Sequence, residues 1–236
     1  MNLKRVSIPH LENLTDEQWN DVRNAPNMDV NLKVDGAGIR FWNEDGKFIM
    51  GTSRVARIES AQQFIDHNPL SKRCRTYADL FQTLEESQLV KTLPEGIVVV
   101  AEVLYKPLGY RDGMNHVYVK VPYRISNNLA IAVIDILDAD SMMSVDEHTH
   151  HKIMMKMIVE AGVEGILLFG SRLFNLDVEL LRTGGREAFR QDILSIAEKD
   201  AFWTLLGDMN EGIVCRAGNI VFKITTDEYR ELRKLK

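Results

Sequence analysis

Four stretches of this chain carry residues that can move a nucleotide. Lys33-Val34-Asp35-Gly36 sets an amine beside an acid and a glycine. Val98-Val99-Val100-Ala101-Glu102-Val103 holds one acid inside an apolar run. Glu211-Gly212-Ile213-Val214 and Val221-Phe222-Lys223-Ile224 follow far downstream. A lone K-x-D-G is a weak signal, but the four in this order are a strong one. A lysine amine attacks phosphorus only when deprotonated, a form that burial or nearby positive charge favours. Attack by Lys33 on the α-phosphate of ATP would form a lysyl-AMP and expel pyrophosphate. The pentacoordinate transition state carries extra negative charge, which Mg²⁺ (or Mn²⁺) and nearby cations must neutralise. Glu102 and Glu211 are the candidate metal carboxylates. Lys223 is the candidate cation for the α-phosphate. Arg54, closing Gly51-Thr52-Ser53-Arg54, suits a phosphate or the ribose. Each has a plainer reading alone: Lys33 as a surface lysine, Glu211 as a turn residue, Glu102 on an edge strand with a solvent face. Glu102 is hardest to explain that way, because an acid buried in such a run is costly unless paired or liganded.

These residues need elements to position them. The pattern predicts a helix from Thr15 to Arg23 with Thr15 as cap, and a strand over Val30–Val34 that delivers Lys33. Gly36 and Gly38 then allow backbone to approach a ligand closely. Ile39–Trp42 and Lys47–Thr52 form a hairpin about an Asp45-Gly46 turn. Helices are expected over Ser60–Asp66, Tyr77–Ser87, Asp146–Ala161 and Glu187–Lys199. Strands are expected over Ile97–Leu104, His116–Pro122, Leu129–Leu137 and Gly165–Phe169. A last hairpin, Gly212–Arg216 with Ile220–Thr225, bears Lys223, and Asp227–Lys236 closes as a helix. The sum is an α+β chain of antiparallel sheets flanked by helices. No Pro/Gly/Ser linker divides it, so residues 1–236 are expected to form a single domain.

Bulk properties bound the classes. The chain has 236 residues, enough for a real core, with 45% hydrophobic and 27% charged positions. No apolar run is long enough to span a bilayer, and the N-terminus has no signal-peptide core. Two cysteines, Cys74 and Cys215, make no disulfide framework, so a cytoplasmic location is expected. A net charge of −5 argues against a general nucleic-acid coat. The basic clusters Lys72-Arg73-Arg75 and Arg230–Lys236 read as solvated surface.

Several features mimic sites. Glu164-Gly165-Ile166-Leu167 resembles the E-G-I-V stretch but has no lysine strand after it, and reads as core. His148, His150 and His151 lack a partner cysteine or an H-E-x-x-H frame, and read as the start of a helix. Thr183-Gly184-Gly185-Arg186 lacks the phosphate-loop frame and reads as a loop. The methionines at 142, 143, 154, 155 and 157 read as packing.

Taken together, the four stretches resemble the motifs of ATP-dependent DNA ligases, RNA ligases and mRNA capping enzymes, the covalent nucleotidyltransferase superfamily. The finer likeness is to phage-type RNA ligases. It is carried by Asn115–Tyr123 with Leu129-Ala130-Ile131, and by Glu211–Arg216 running through Lys223–Tyr229. The resemblance spans Asn31–Tyr229. It implies the adenylation fold, ATP-grasp-like, and three steps: AMP onto Lys33, AMP onto a 5′-phosphate end, then attack by a 3′-hydroxyl that seals the strand. It implies Asp35 and Gly36 as the rest of the nucleophile loop, and Arg54 on nucleotide or 5′-phosphate. Glu102 falls on ribose or metal, Glu211 on metal and Lys223 on the phosphates. The implied partners are nucleic-acid ends, RNA favoured over DNA, in RNA repair; a phage origin, and so a host cytoplasm, is the analogy.

The chain departs from that pattern in two ways. The last motif usually reads K-x-K, and here Thr225 stands in the second lysine's place, with Arg216 as a candidate substitute cation. No room is expected after it for an OB-fold or helical C-terminal domain, so substrate clamping would fall to the core, an oligomer or a separate protein. Two other readings remain open: a minimal DNA ligase sealing nicks, and a nucleotide-binding module that does not ligate.

Overall fold

The computed structural model describes residues 8–52, 55–105, 127–181, 184–200, 203 and 210–234, with the backbone of 110–111 and 114–115. The strand expected over His116–Pro122 lies outside the described residues, as does Arg54. The described chain divides into two compact units, one built mainly on residues 36–119 and 126–170, the other on 6–35 and 171–236.

The first unit holds a five-stranded sheet. Its strands are β2 (Ala37–Glu44), β3 (Lys47–Thr52), β4 (Ile97–Tyr105), β7 (Leu129–Asp138) and β8 (Leu167–Gly170), in the order β3-β2-β4-β7-β8. The β2–β3 turn forms at Asp45 and Gly46, both with positive φ, the twist that suits a two-residue hairpin. The short pair β5 (Tyr110–Arg111) and β6 (Met114–Asn115) stands apart from this sheet. Helices α2 (Ala61–His67), α3 (Lys72–Glu86), α4 (Gln88–Lys91) and α5 (Glu147–Val163) complete the unit. Helix α3 starts earlier than the pattern predicts because Ser71 accepts the Cys74 N–H as its cap. One face of the sheet, with Phe41, Met50, Val99, Ala101 and Ile131, forms a core with Leu80, Phe81, Ile153 and Met157 of the helices. Phe48 and Phe81 sit with ring centroids 4.8 Å apart.

Two expectations need correction here. The sheet is not wholly antiparallel, because β7 and β8 pair in parallel. Helix α5 lies between them in the chain, as a parallel pair requires a long connection. It ends where Gly165 takes a positive φ and the Ile166 N–H bonds back to the Ala161 carbonyl. Met143 and Met155, which read as packing in the sequence, are 68% and 49% exposed, whereas Met154 and Met157 are buried.

The second unit holds a four-stranded antiparallel sheet ordered β11-β10-β1-β9, from β1 (Asn27–Lys33), β9 (Arg172–Asp177), β10 (Gly212–Ala217) and β11 (Ile220–Thr225). Its helices are α1 (Asp16–Asn24), α6 (Arg186–Ala197) and α7 (Asp227–Lys234). Thr15 and Gln18 form a reciprocal capping box on α1. Alternation along β1 buries Met28, Val30 and Leu32 and leaves Asp29, Asn31 and Lys33 on the other face. Trp19 of α1 meets Phe189 of α6 edge-on at 5.0 Å. Arg190, 2% exposed, donates to the Thr225 carbonyl and to Asp227, fixing the start of α7 against the end of β11.

Candidate active site

Lys33 ends β1. Its pairing row runs Lys33, Gly212, Thr225 across three strands, and the next row runs Asn31, Val214, Lys223. Residues opposite one another in an antiparallel ladder share a face. Lys33, Lys223 and Thr225 therefore stand on the same polar face of the sheet, opposite the buried Leu32, Ile213 and Ile224.

Glu211, just before β10, closes the arrangement. The Lys33 Nζ donates to Glu211 Oε2 at 2.7 Å, with the lysine side chain 22% exposed and the glutamate nearly buried. Burial pushes the Glu211 carboxyl above the usual carboxylate range, and the adjacent Asp35 pushes the same way. Lys33 and Lys223 pull down but do not win. Asp35 is itself buried, and the Tyr229 hydroxyl donates to it at 3.5 Å. The phenol also reaches Glu211, and burial, then the two carboxylates, raises its pKa. Thr226 caps this region, accepting the Tyr229 N–H and donating to the Asn210 carbonyl.

The structure thus brings four sequence-predicted residues, Lys33, Asp35, Glu211 and Lys223, into one unit. Gly36 and Glu102 belong to the other. There a Cβ on Gly36 would come 2.8 Å from the Val103 carbonyl oxygen, so the glycine is needed for backbone to pass. Glu102 lies opposite Gly38 and Ala132 on the sheet face away from the helical core. Its Oε2 is buried, and its two carboxylate oxygens lie 3.3 and 3.4 Å from where a Cβ on Gly36 or Gly38 would stand, so the two glycines make room for the acid.

Three residues beside this cluster carry no assignment in the sequence. Tyr229 closes the stretch that carries the family likeness, but a tyrosine three residues past a threonine is ordinary in a helix and gives no sign of its contacts. Arg230 was grouped with a solvated basic tail. Its Nε instead donates to Thr225 Oγ1 at 2.9 Å, and the guanidinium pairs with Glu12. Arg230, not Arg216, is thus the cation at Thr225. Arg216 sits four residues along β10 from Gly212, about 13 Å at strand rise. His10 bridges to Lys223 through backbone, an approach from the N-terminal segment that no local motif signals.

Among the described residues no group of three or more His, Cys, Asp or Glu side chains could hold a metal ion. Asp35 and Glu211, two hard carboxylates in one unit, suit Mg²⁺ or Mn²⁺ shared with phosphate oxygens. Magnesium commonly uses one or two carboxylates and takes its other ligands from substrate and water.

No protein-family model matches the sequence, and no curated protein matches it. Solved structures do match by fold. Against Naegleria gruberi RNA ligase with PPi the TM-score is 0.54 at 14% identity, over 99% of this chain and 59% of that one. Against an apo mutant of the same ligase it is 0.57 at 14%, over 99% and 58%. Against a mutant with ATP and Mn it is 0.53 at 13%, over 98% and 58%. The chain spans about 58–59% of the length of these structures. At this identity the likeness establishes the fold: a mixed α+β arrangement of the kind found in an RNA ligase.

Proposed function

We propose that this chain is the nucleotidyltransferase part of an ATP-dependent RNA ligase, with both compact units serving one adenylation domain. The observation that carries the reading is the Lys33–Glu211 contact at the end of a sheet that also presents Lys223, with Asp35 two residues beyond β1. The RNA-ligase fold supports it. Lys33 is the nucleophile. Glu211, more basic than a free glutamate because it is buried, holds the amine and accepts its proton as the N–P bond forms. The electron pair of the broken P–O bond leaves with pyrophosphate. Lys223 faces the α-phosphate oxygens. Glu102 takes the ribose or a metal ion, and Arg54 takes the nucleotide or a 5′-phosphate. Asp35 and Glu211 would hold Mg²⁺ or Mn²⁺, which would supply charge neutralisation at the phosphates. AMP then passes to a 5′-phosphate end, and a 3′-hydroxyl displaces it.

The test is self-labelling with α-labelled ATP and Mg²⁺, followed by a chase with 5′-phosphorylated RNA or nicked DNA. The expected result is label on the chain, lost by at least 100-fold in Lys33→Ala, and sealing of RNA ends. Label that survives Lys33→Ala, or sealing confined to nicked DNA, would count against this reading. A chain that labels but never joins ends would be a binding module instead.

A further inference from the structure

Beside the Lys33 cluster, and within the same unit, lies a cavity of about 350 Å³ lined by His10, Glu12, Thr225, Tyr229, Arg230 and Arg233, among others. Its floor is shared with the site. Thr225 lies two strands across from Lys33 on the same face, about 10 Å at usual strand spacing. Tyr229 lines the cavity with its ring and reaches Asp35 and Glu211 with its hydroxyl.

The cavity is positive. Glu12 is the one acid in the lining, and Arg230 engages it. Arg233, exposed on the next turn of α7, has no ion pair or hydrogen bond among the described residues. Burial, then the fields of Lys223, Arg230 and Arg233, hold His10 below its ordinary pKa, so those cations converge there. Arg230, bonded to the Thr225 hydroxyl, and Arg233 line the cavity together, and two guanidiniums are a donor set for phosphate oxygens.

We propose that this cavity is the subsite for the outer two phosphates of the triphosphate and for the pyrophosphate they become. The inference rests on the nucleotidyl-transfer reading above. When the Lys33 Nζ bonds to the α-phosphorus, the leaving pyrophosphate departs on the opposite side. Across the sheet face from Lys33, that side is the Thr225 edge. Arg230 and Arg233 would take up the charge that develops on the leaving oxygens. Neither Lys223, placed for the α-phosphate, nor Arg216, far along β10, is placed to do so.

The test compares the full chain with Arg233→Ala. This residue is exposed, so its removal should leave folding intact, as thermal melts of the two chains would show. Pyrophosphate binding is read directly by ³¹P NMR titration, and pyrophosphate-driven discharge of the lysyl-AMP is read alongside transfer of AMP to 5′-phosphorylated RNA. Loss of one guanidinium–phosphate contact should raise the half-saturating pyrophosphate concentration about tenfold or more. The loss in pyrophosphate affinity should exceed any change in transfer of AMP to RNA, a step that begins after pyrophosphate has left, and Arg233→Lys should recover part of the loss. Equal pyrophosphate affinity in the two chains, or no measurable binding by the unaltered chain, overturns the subsite. A selective loss of transfer to RNA also overturns it, and gives the cavity to the nucleic-acid end. Absence of any lysyl-AMP in the unaltered chain would instead fail the parent reading, while the titration still decides the cavity.

Discussion

At the scale of single residues, the Lys33–Glu211 contact combines two opposed demands. The amine needs an oxygen to hold it, and the carboxylate that does so is buried at a cost its partner does not offset. Its folded pKa is raised, so the charged form is penalised. The penalty is absent below the unfolded value of about 4.5 and complete above the folded value. Glu211→Gln should therefore be more stable than the unaltered chain at pH 7–8, by about 1 kcal/mol. The gain should vanish as pH falls toward 4, where Glu211 is already neutral. Thermal melts of both chains across that range would show it, and a gain that persists at pH 4 would contradict it. The same substitution should cut self-labelling by at least about 100-fold. Stability and activity would then move in opposite directions at one position.

At the scale of elements, the β10–β11 hairpin sets the row that contains both Lys33 and Thr225. Gly212 makes that row possible. Its φ is +145°, and a Cβ there would meet the Ile224 carbonyl oxygen at 2.0 Å. Gly212→Ala should cost about 3 kcal/mol or more in urea denaturation, combining a forbidden backbone region with an overlap onto backbone. Gly218 also has a positive φ, +56°, but nothing lies within 4 Å of its Cβ position. Gly218→Asn should cost less than about 1 kcal/mol, since asparagine tolerates the left-handed region. Equal losses at the two positions would show that the hairpin, rather than close packing at Gly212, limits stability.

At the scale of the whole molecule, a net charge of −5 sets how the chain meets a polyanion. The cations of the second unit are spent on a few sites, with Arg172 paired to Asp29, Arg186 to Asp16 and Arg190 to Asp227. On the proposed function, an RNA end should thus be held through few phosphates. Its affinity should fall with salt with a log–log slope shallower than about −2, corresponding to three or fewer neutralised phosphates. Anisotropy titrations of a labelled 5′-phosphorylated RNA in stepped KCl would check it. A slope near −5 or steeper would mean an extended basic track. No helix among the described residues is long and apolar enough to cross a membrane.

Much of this was set by local order in the chain. The Asp45-Gly46 turn, the Thr15 cap, the β1 alternation that exposes Lys33 and the hairpin that bears Lys223 are short-range consequences of turn chemistry, capping and period-two burial. They are legible because each depends on neighbours a few residues apart. Strand β9 was not legible, because a bulge opposite Val30/Asn31 places Leu173 and Phe174 in succession and breaks the period. The parallel pairing of β8, the Arg190 anchor, and the meeting of Arg230 with Thr225 and Glu12 were not legible either. Order along the chain singled out Lys33 and Glu211. Only the tertiary structure decided that Glu211 is buried against Lys33, or that a cation missing from the strand comes from the next helix. Burial and through-space charge depend on segments far apart in sequence, and no local pattern encodes them.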